Sequence, residues 1–192
     1  MADIHVRCSW CGKDKAYQKY HDLEWGVPCR DDKKLFEFLI LESAQAGLSW
    51  LTILRKRDNY RLAFANFDVK AVSTFGDQEK QRLMQDAGIV RNRLKIESAI
   101  INAQCFLKVQ KEAGSFSHYL WSYFSDKPIV NRWLNEDQIP VSTPISQKIS
   151  KDMKRRGFKF FGATTCYAYL QAMGLVNDHV LDCFRHPSQI KR

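Results

Sequence analysis

The sequence has few of the residues that interrupt a fold: five prolines and nine glycines in 192 residues, with no internal repeat and no low-complexity tract. This scarcity argues against linkers, and the length suffices for one core or two small lobes. Residues 1–8 carry charge and lack the apolar centre of a secretory signal, so we expect no leader. Without a leader, the six cysteines are expected to stay reduced in a cytoplasm.

The chain is also short of acidic residues. It has 30 lysines and arginines against 21 aspartates and glutamates, a formal charge of +9. This excess favours a polyanionic partner, nucleic acid first and an anionic membrane second. The basic residues concentrate at 55–57, 91–95 and 154–159, which form either ordinary solvated surface or a face that follows phosphates.

The apolar pattern predicts a mostly helical chain with no convincing strand. Helices are predicted at residues 14–23, 31–46, 50–56, 58–64, 68–75, 77–86, 92–113, 116–124, 144–156, 163–173 and 177–183. The pair around the turn at 87–90 has the outline of a helix–hairpin–helix, in which turn amides and the next helix N-terminus can hold a phosphate. The residues expected at DNA phosphates are Gly88, Arg91, Arg93, Lys95, Arg155 and Lys159.

The most apolar stretch is residues 35–54, and it carries Glu42. With two glutamates and a glycine inside it, a core element is favoured over a membrane helix. On a helix, Glu42 shares one face with Leu35, Phe38, Leu39 and Ala46. Such a carboxylate is either a core group satisfied by an arginine or by backbone, or the polar group of a binding site. Gly47 predicts a helix end and Ser49 a new cap, which leaves Leu48 exposed at the break.

Aromatic residues crowd the amino-terminal segment and the helix after this break: Trp10, Tyr17, Tyr20, Trp25 and Trp50. They could simply be core. If the amino-terminal segment folds over Glu42, however, rings and carboxylate would form a receptor for a flat, cationic heterocycle, which both stacking and cation–π contacts favour.

Cysteine and histidine residues near the two ends suggest a metal site. Cys8 and His21 lie near the start, while His179 and Cys183 are four residues apart and on a helix would share one face. Two thiolates and two imidazoles form the tetrahedral set of closed structural zinc sites. Cys11 forms a C-x-x-C pair with Cys8, so spacing does not choose between them. Ordinary buried thiols and surface imidazoles are the alternative.

Five motifs occur together and in order: YHDLEWGVP at 20–28, QAGLSW at 45–50, DAGI at 86–89, RGFKF at 156–160 and GLVNDH at 174–179. Together they resemble the constitutive bacterial 3-methyladenine DNA glycosylases I of the helix-hairpin-helix glycosylase superfamily. The resemblance covers nearly the whole chain and is weakest over the polar residues 128–140.

The resemblance implies an all-α fold in one glycosylase domain, residues 1–192, as a cytoplasmic monomer. One lobe would hold both chain ends and one structural zinc per chain, and a central lobe the helix-hairpin-helix near 77–113, with double-stranded DNA across the cleft. Matching the family's motifs, the zinc ligands would be Cys8, His21, His179 and Cys183. Glu42 would bond the excised base, Tyr20 and Trp50 would stack on it, Trp10, Tyr17 and Trp25 would line the pocket, and Gly47 and Leu48 would wedge into the duplex.

The implied reaction is hydrolytic release of 3-methyladenine, leaving an abasic site. Because N3-methylation makes adenine cationic, the base leaves neutral without being protonated. No lysine is an evident Schiff-base nucleophile, so a monofunctional enzyme is expected. No clear counterpart exists to the superfamily's catalytic Asp, and either Glu42 or Asp178 could steady the sugar cation. The rival functions are a non-catalytic, zinc-stabilised DNA-binding module and a small metallohydrolase, although a Cys2His2 set disfavours the latter.

Overall fold

The structure of the protein is a computed structural model that describes residues 5–189. Nine α-helices make up most of this range: α1 Lys15–Leu23, α2 Asp32–Gln45, α3 Trp50–Ala63, α4 Val69–Ser73, α5 Asp77–Gln85, α6 Arg93–Ala113, α7 Phe116–Ser122, α8 Pro144–Arg155 and α9 Ala163–Ala172. Short 3-10 turns lie at Ser9–Cys11, Ala65–Phe67, Glu136–Gln138 and Pro187–Gln189. The expected, mainly helical architecture is therefore confirmed over the described part of the chain.

Helix α2 is the central element. The side chain of Asp31 caps it by accepting the Lys34 N–H at 2.7 Å, and every residue from 35 to 44 is buried. Helices α3, α6, α7 and α9 pack around it. Each large apolar side chain buried in this way contributes about 1.5–3 kcal/mol. A helix enclosed on all sides gives Glu42 no outlet to bulk water except through a cavity.

Helix α3 corrects the sequence-based division into two helices at 50–56 and 58–64, because it is continuous. The presumed break falls at Arg57, which is buried and bonds to Glu37 at 2.7 Å. Asp58 forms an ion pair with Arg61 one turn later instead of capping a new helix. Ion pairs formed in the tertiary structure therefore stabilise a continuous helix across this polar sequence.

Two short strands, β1 Ile129–Val130 and β2 Val176–Asn177, pair in parallel, with Ile129 opposite Val176. The sequence predicted no strand here and a helical turn at 177–183, and both predictions are wrong. Backbone groups of this region bond across the chain: the Asn131 N–H donates to the Asn177 carbonyl at 3.1 Å. These contacts hold the irregular segment after β1 against the carboxyl-terminal part of the protein.

The buried apolar side chains form one continuous cluster that reaches from Cys8 to Cys183. Both ends of the described chain therefore share a core with α2. Between residues 5 and 189, no helix combines the length and the apolar character needed to cross a bilayer.

Candidate active site

A cavity of about 290 Å³ lies between the amino-terminal segment, the carboxyl end of α2 and helix α9. Its walls are Trp10, Tyr17, Tyr20, Trp25, Glu42, Gln45, Trp50, Glu136, Ile139, Ala168 and Gln171. All five aromatic residues singled out in the sequence therefore surround the predicted carboxylate. The volume lies near the lower end of small-molecule sites, which suits a ligand of one or two fused rings.

The break after α2 sets one edge of this cavity. Ala46 ends the helix, and Gly47 has φ +80°, a left-handed conformation that favours glycine. Ser49 then caps α3 by accepting the Thr52 N–H. Leu48, between the two helices, is 41% exposed. The break predicted from sequence is confirmed, and it presents an apolar side chain to solvent.

Glu42 is 4% exposed, and its Oε2 atom has no hydrogen-bond partner among the described residues. Burial raises its pKa to about 8. The alternative of a core glutamate satisfied by an arginine does not hold, because the nearby buried Arg57 bonds instead to Glu37 and Glu24. The raised pKa favours the protonated carboxyl at neutral pH, and a positive charge beside it would favour the ionised form.

The rings pack against one another at steep angles and form one aromatic wall. Tyr20 and Trp50 lie 5.3 Å apart between centroids at 48°, and Trp10 packs edge-on to Trp25 at 4.9 Å. Phe38 packs against both Tyr20 and Trp50, with centroids 6.3 and 5.9 Å away. The indole Nε1 of Trp50 is buried and, like the oxygen of Glu42, has no partner among residues 5–189. An acceptor and a donor thus face an aromatic cavity unpaired, an arrangement that a polar, planar ligand would satisfy.

A second cluster lies beside this cavity. Cys8, His21, His179 and Cys183 are all buried, and their ligand atoms lie within 4.8 Å of one another. The Sγ of Cys183 is 3.4 Å from His21 Nε2 and from His179 Nδ1, and the Sγ of Cys8 is 3.6 Å from His179 Nδ1. Tetrahedral zinc bonds would set sulfur and nitrogen about 3.5 Å apart. The four residues therefore fit a tetrahedral metal.

The outer nitrogens of both imidazoles are already engaged. His21 Nδ1 bonds to Asp22 at 2.8 Å, and His179 Nε2 bonds to the Trp25 carbonyl at 3.1 Å. These contacts turn the other ring nitrogens toward the sulfurs as acceptors. The hydrogen bond from the Cys8 thiol holds the pKa of Cys183 well below its usual range.

The structure also chooses between the two amino-terminal cysteines. Cys8 lies in the cluster, whereas the thiol of Cys11 donates to the Cys8 carbonyl at 3.1 Å. The helical spacing argument for His179 and Cys183 is wrong, since they lie in irregular turns after β2. Gly26 allows the close approach: it has φ +74°, and a Cβ there would lie 3.0 Å from His179 Nε2.

Asp178 does not line the cavity. It is fully buried, and its carboxylate accepts four hydrogen bonds of 2.5–2.7 Å, from Asn131, Trp133, Tyr167 and Gln171. A carboxylate so saturated has no lone pair left for a substrate or a water. Its role is to hold the segment after β1, β2 and helix α9 together.

Comparison with known proteins agrees with this geometry. A family model described as methyladenine glycosylase matches residues 10–186. The chain belongs to this family. It is 48% identical over 181 residues to DNA-3-methyladenine glycosylase 1 of Escherichia coli, covering 94% of this chain and 97% of that protein.

Solved structures of 3-methyladenine DNA glycosylase I share the fold. One has a TM-score of 0.92 at 46% identity and covers 95% of this chain and all of its own. Another, the Staphylococcus aureus protein solved to explain 3-methyladenine recognition, has a TM-score of 0.91 at 41% identity, with 97% of each chain covered.

In this methyladenine glycosylase family member, the expected phosphate contacts lie at helix ends, and several of them already have partners. Lys95 Nζ donates to the carbonyls of Ala44 and Ala46 at 2.8 and 2.7 Å, so it holds the carboxyl end of α2. The Gly88 N–H donates to Asp86 at 2.7 Å. Arg93 pairs with Glu97.

The remaining expected contacts differ in their surroundings. Arg91 and Lys159 are exposed, and Arg155, also exposed, pairs with Asp152. Of the basic cluster at 55–57, Arg57 is buried in ion pairs with Glu24 and Glu37. The cluster is therefore only partly surface.

Sequence reasoning missed several residues of the cavity in this glycosylase family member. Gln45 lies on the last turn of α2, and Ala168 and Gln171 lie on α9. Glu136 and Ile139 come from the irregular stretch between β1 and α8. The sequence of that stretch has no hydrophobic periodicity that would indicate which side chains point inward. No signal in the sequence therefore indicated Glu136 or Ile139. Only the tertiary fold brings this stretch over the cavity.

Proposed function

We propose that this chain flips 3-methyladenine out of alkylated double-stranded DNA and hydrolyses its N-glycosidic bond, leaving an abasic site. The observation that carries the proposal is Glu42, a buried and unpartnered carboxyl in a cavity walled by aromatic rings. Membership of the methyladenine glycosylase family supports it. The named activity of the Escherichia coli relative agrees with it.

The base would stack against the rings of Tyr20 and Trp50. Stacking of a base on an aromatic side chain contributes about 1–3 kcal/mol, and a cationic base strengthens it. The Glu42 carboxylate accepts from the exocyclic amine, so its buried oxygen gains a hydrogen-bond partner.

Selection would follow from charge. The empty cavity holds Glu42 mostly protonated, since its pKa is about 8. A neutral adenine gains no ion pair, whereas a methylated, cationic adenine draws the carboxyl into its ionised form. As the glycosidic bond lengthens, the positive charge passes to the sugar, the base departs neutral and water attacks C1′. Asp178 is too fully bonded to serve as the base for that water.

The residues that line the cavity contain no lysine. A Schiff-base intermediate on the sugar needs an amine at this position. The arrangement therefore supports a monofunctional glycosylase that does not cleave the strand.

The break after α2 would engage the duplex. Leu48 fills the gap left by the flipped base, which offsets part of the few kcal/mol of flipping. Gly47, whose φ of +80° forms the turn, would enter the duplex beside Leu48 as part of the wedge. Exposed Arg91, Arg155 and Lys159 would bind phosphates, with Gly88 and Arg93 at the helix–hairpin–helix. The ammonium of Lys95 would contribute indirectly, because its hydrogen bonds fix the end of α2 next to the wedge.

Zinc would occupy the Cys8, His21, His179 and Cys183 cluster, one ion per chain. With four protein ligands it has no open position, so it supplies a cross-link and no reaction chemistry. The link joins the segment bearing Trp10 to the carboxyl-terminal turns, so it fixes one wall of the cavity. The terminal segments joined in this way would form one lobe of the domain and the central helices the other.

Excision assays on methylated DNA test the proposal, with chromatography of the released bases. The parent chain should release 3-methyladenine without strand breaks, and Glu42→Gln and Glu42→Ala should each reduce the rate by at least about tenfold. Glu112→Gln is the matched control, because its carboxylate is 60% exposed on α6. Release of no base by the parent would favour a DNA-binding module. Equal rates for all variants would refute the role of Glu42.

A further inference from the structure

The cavity has a second carboxylate, on the irregular segment between β1 and α8 for which the sequence predicted no regular structure. Glu136 lies on the 3-10 turn between β1 and α8 and lines the wall together with Ile139. Glu42 lies within helix α2, whereas Glu136 is only partly buried and reaches the cavity from the solvent side. The two carboxylates thus face the same ligand volume from different elements.

Glu136 is fixed in place by the amino-terminal segment. Its Oε1 accepts the N–H of Ser9, and its Oε2 accepts the Ser9 hydroxyl at 2.7 Å. Both bonds fix the orientation of the carboxylate beside the cavity. Ser9 precedes Trp10, so the Glu136 carboxylate is joined to the segment that carries the Trp10 indole of the cavity wall.

We propose that Glu136 is a specificity-determining residue of the cavity, whose fixed negative charge favours a cationic base over a neutral one of the same shape. The inference rests on the proposed excision of 3-methyladenine and extends it. Glu42 must lose a proton before it attracts a cation. Glu136 lies on a different and partly exposed element, so it acts on the approaching cation at the entrance.

Its effect is on charge and not on shape. Across a cavity of this size, a charge pair separated by roughly 7 Å in partly wet surroundings changes the affinity roughly fivefold to tenfold. The same charge repels the phosphates of any DNA. Removing it should therefore strengthen binding to undamaged duplex while it weakens discrimination for the methylated base.

Two duplexes separate charge from shape. Both carry a 2′-fluorinated sugar, which suppresses cleavage by destabilising the sugar cation. One has N3-methyladenine, and the other has an uncharged isostere in which carbon replaces N3 and keeps the methyl group. The measured quantity is the ratio of their dissociation constants, in which general effects on DNA binding cancel.

Glu136→Gln keeps the size of the side chain and an acceptor for Ser9 but removes the charge. Ser9→Ala is the matched control, because it removes one bond of the clamp and keeps the charge. We expect Glu136→Gln to reduce the preference for the cation roughly fivefold and Ser9→Ala to leave it unchanged. An unchanged ratio in Glu136→Gln, or an equal loss in both variants, would overturn the inference.

Excision of 3-methyladenine by the parent chain is measured in parallel. If the parent releases no base, the proposed function fails. If it releases the base while the ratio is insensitive to Glu136→Gln, only the inference about Glu136 fails. Glu136→Gln is also expected to bind unmodified duplex more tightly than the parent, which a loosened fold would not do.

Discussion

Replacing Glu42 with glutamine should stabilise the protein, and increasingly so as the pH rises. The carboxyl has a pKa of about 8 in the folded chain against 4.5 as its ordinary value. Between these values the folded state binds more protons than the unfolded state, so the free energy of unfolding falls with increasing pH. Glu42 thus costs the parent chain stability that a neutral glutamine does not.

The magnitude follows from the two pKa values. Each unit of difference corresponds to about 1.4 kcal/mol, so full ionisation costs close to 5 kcal/mol, an upper value for this single group. Going from about pH 5.5 to about pH 8.5, the parent should lose about 3 kcal/mol more than Glu42→Gln. For a chain of this size this corresponds to a divergence in Tm of about 10 °C.

Urea unfolding of both proteins at several pH values measures this difference, with the metal content kept equal. Other groups titrate over the same range, but they are common to both chains and cancel in the comparison. Glu112→Gln, which removes an exposed carboxylate, should follow the parent. Parallel stability curves for the parent and Glu42→Gln would show that Glu42 is already ionised or paired, and the reasoning about selection by charge would fail with it.

Four further results are expected. Excision by the parent at subsaturating concentration, which reports the free protein, should rise up to tenfold per pH unit and level off near about pH 8 as Glu42 loses its proton, whereas residual activity of Glu42→Gln should lack this rise. Leu48→Ala should reduce excision about tenfold and leave the urea midpoint nearly unchanged, because the side chain is exposed. Cys183→Ser should lose the bound metal in elemental analysis and lower the Tm. Arg57→Met should cost about 3 kcal/mol in urea, since it leaves carboxylates unpaired, against little for Arg55→Met, whose side chain is 64% exposed.

Each of these has a contrary outcome. A pH-independent rate in the parent would mean that no carboxyl of the cavity titrates in this pH range. A full rate in Leu48→Ala would remove the wedge from the mechanism. Retained metal in Cys183→Ser, or a parent chain that folds with no metal after chelation, would contradict the zinc site. Equal losses from Arg57→Met and Arg55→Met would mean that the buried ion pairs contribute nothing specific.

Local sequence determined much of the architecture, since the necessary signals lie within a few residues of one another. The apolar run around Glu42, the glycine break and the Ser49 cap predicted α2, its end and the start of α3, and the structure has them. A helix is closed by bonds between neighbours in sequence, which is why period and caps suffice to predict it. The aromatic residues could be predicted to line a cavity because a carboxylate within an apolar helix needs a polar environment or a ligand.

The tertiary structure decided what depends on distant parts of the chain. It brought Cys8 and His21 next to His179 and Cys183. The last two residues lie in turns and not in the predicted helix, because residues 176–177 form backbone hydrogen bonds in a strand pair. It also buried Arg57 and placed Glu136 over the cavity. No periodicity marks a residue whose partners are a hundred positions away. Only the packing of the whole chain shows which carboxylates share a pocket and which are bonded elsewhere.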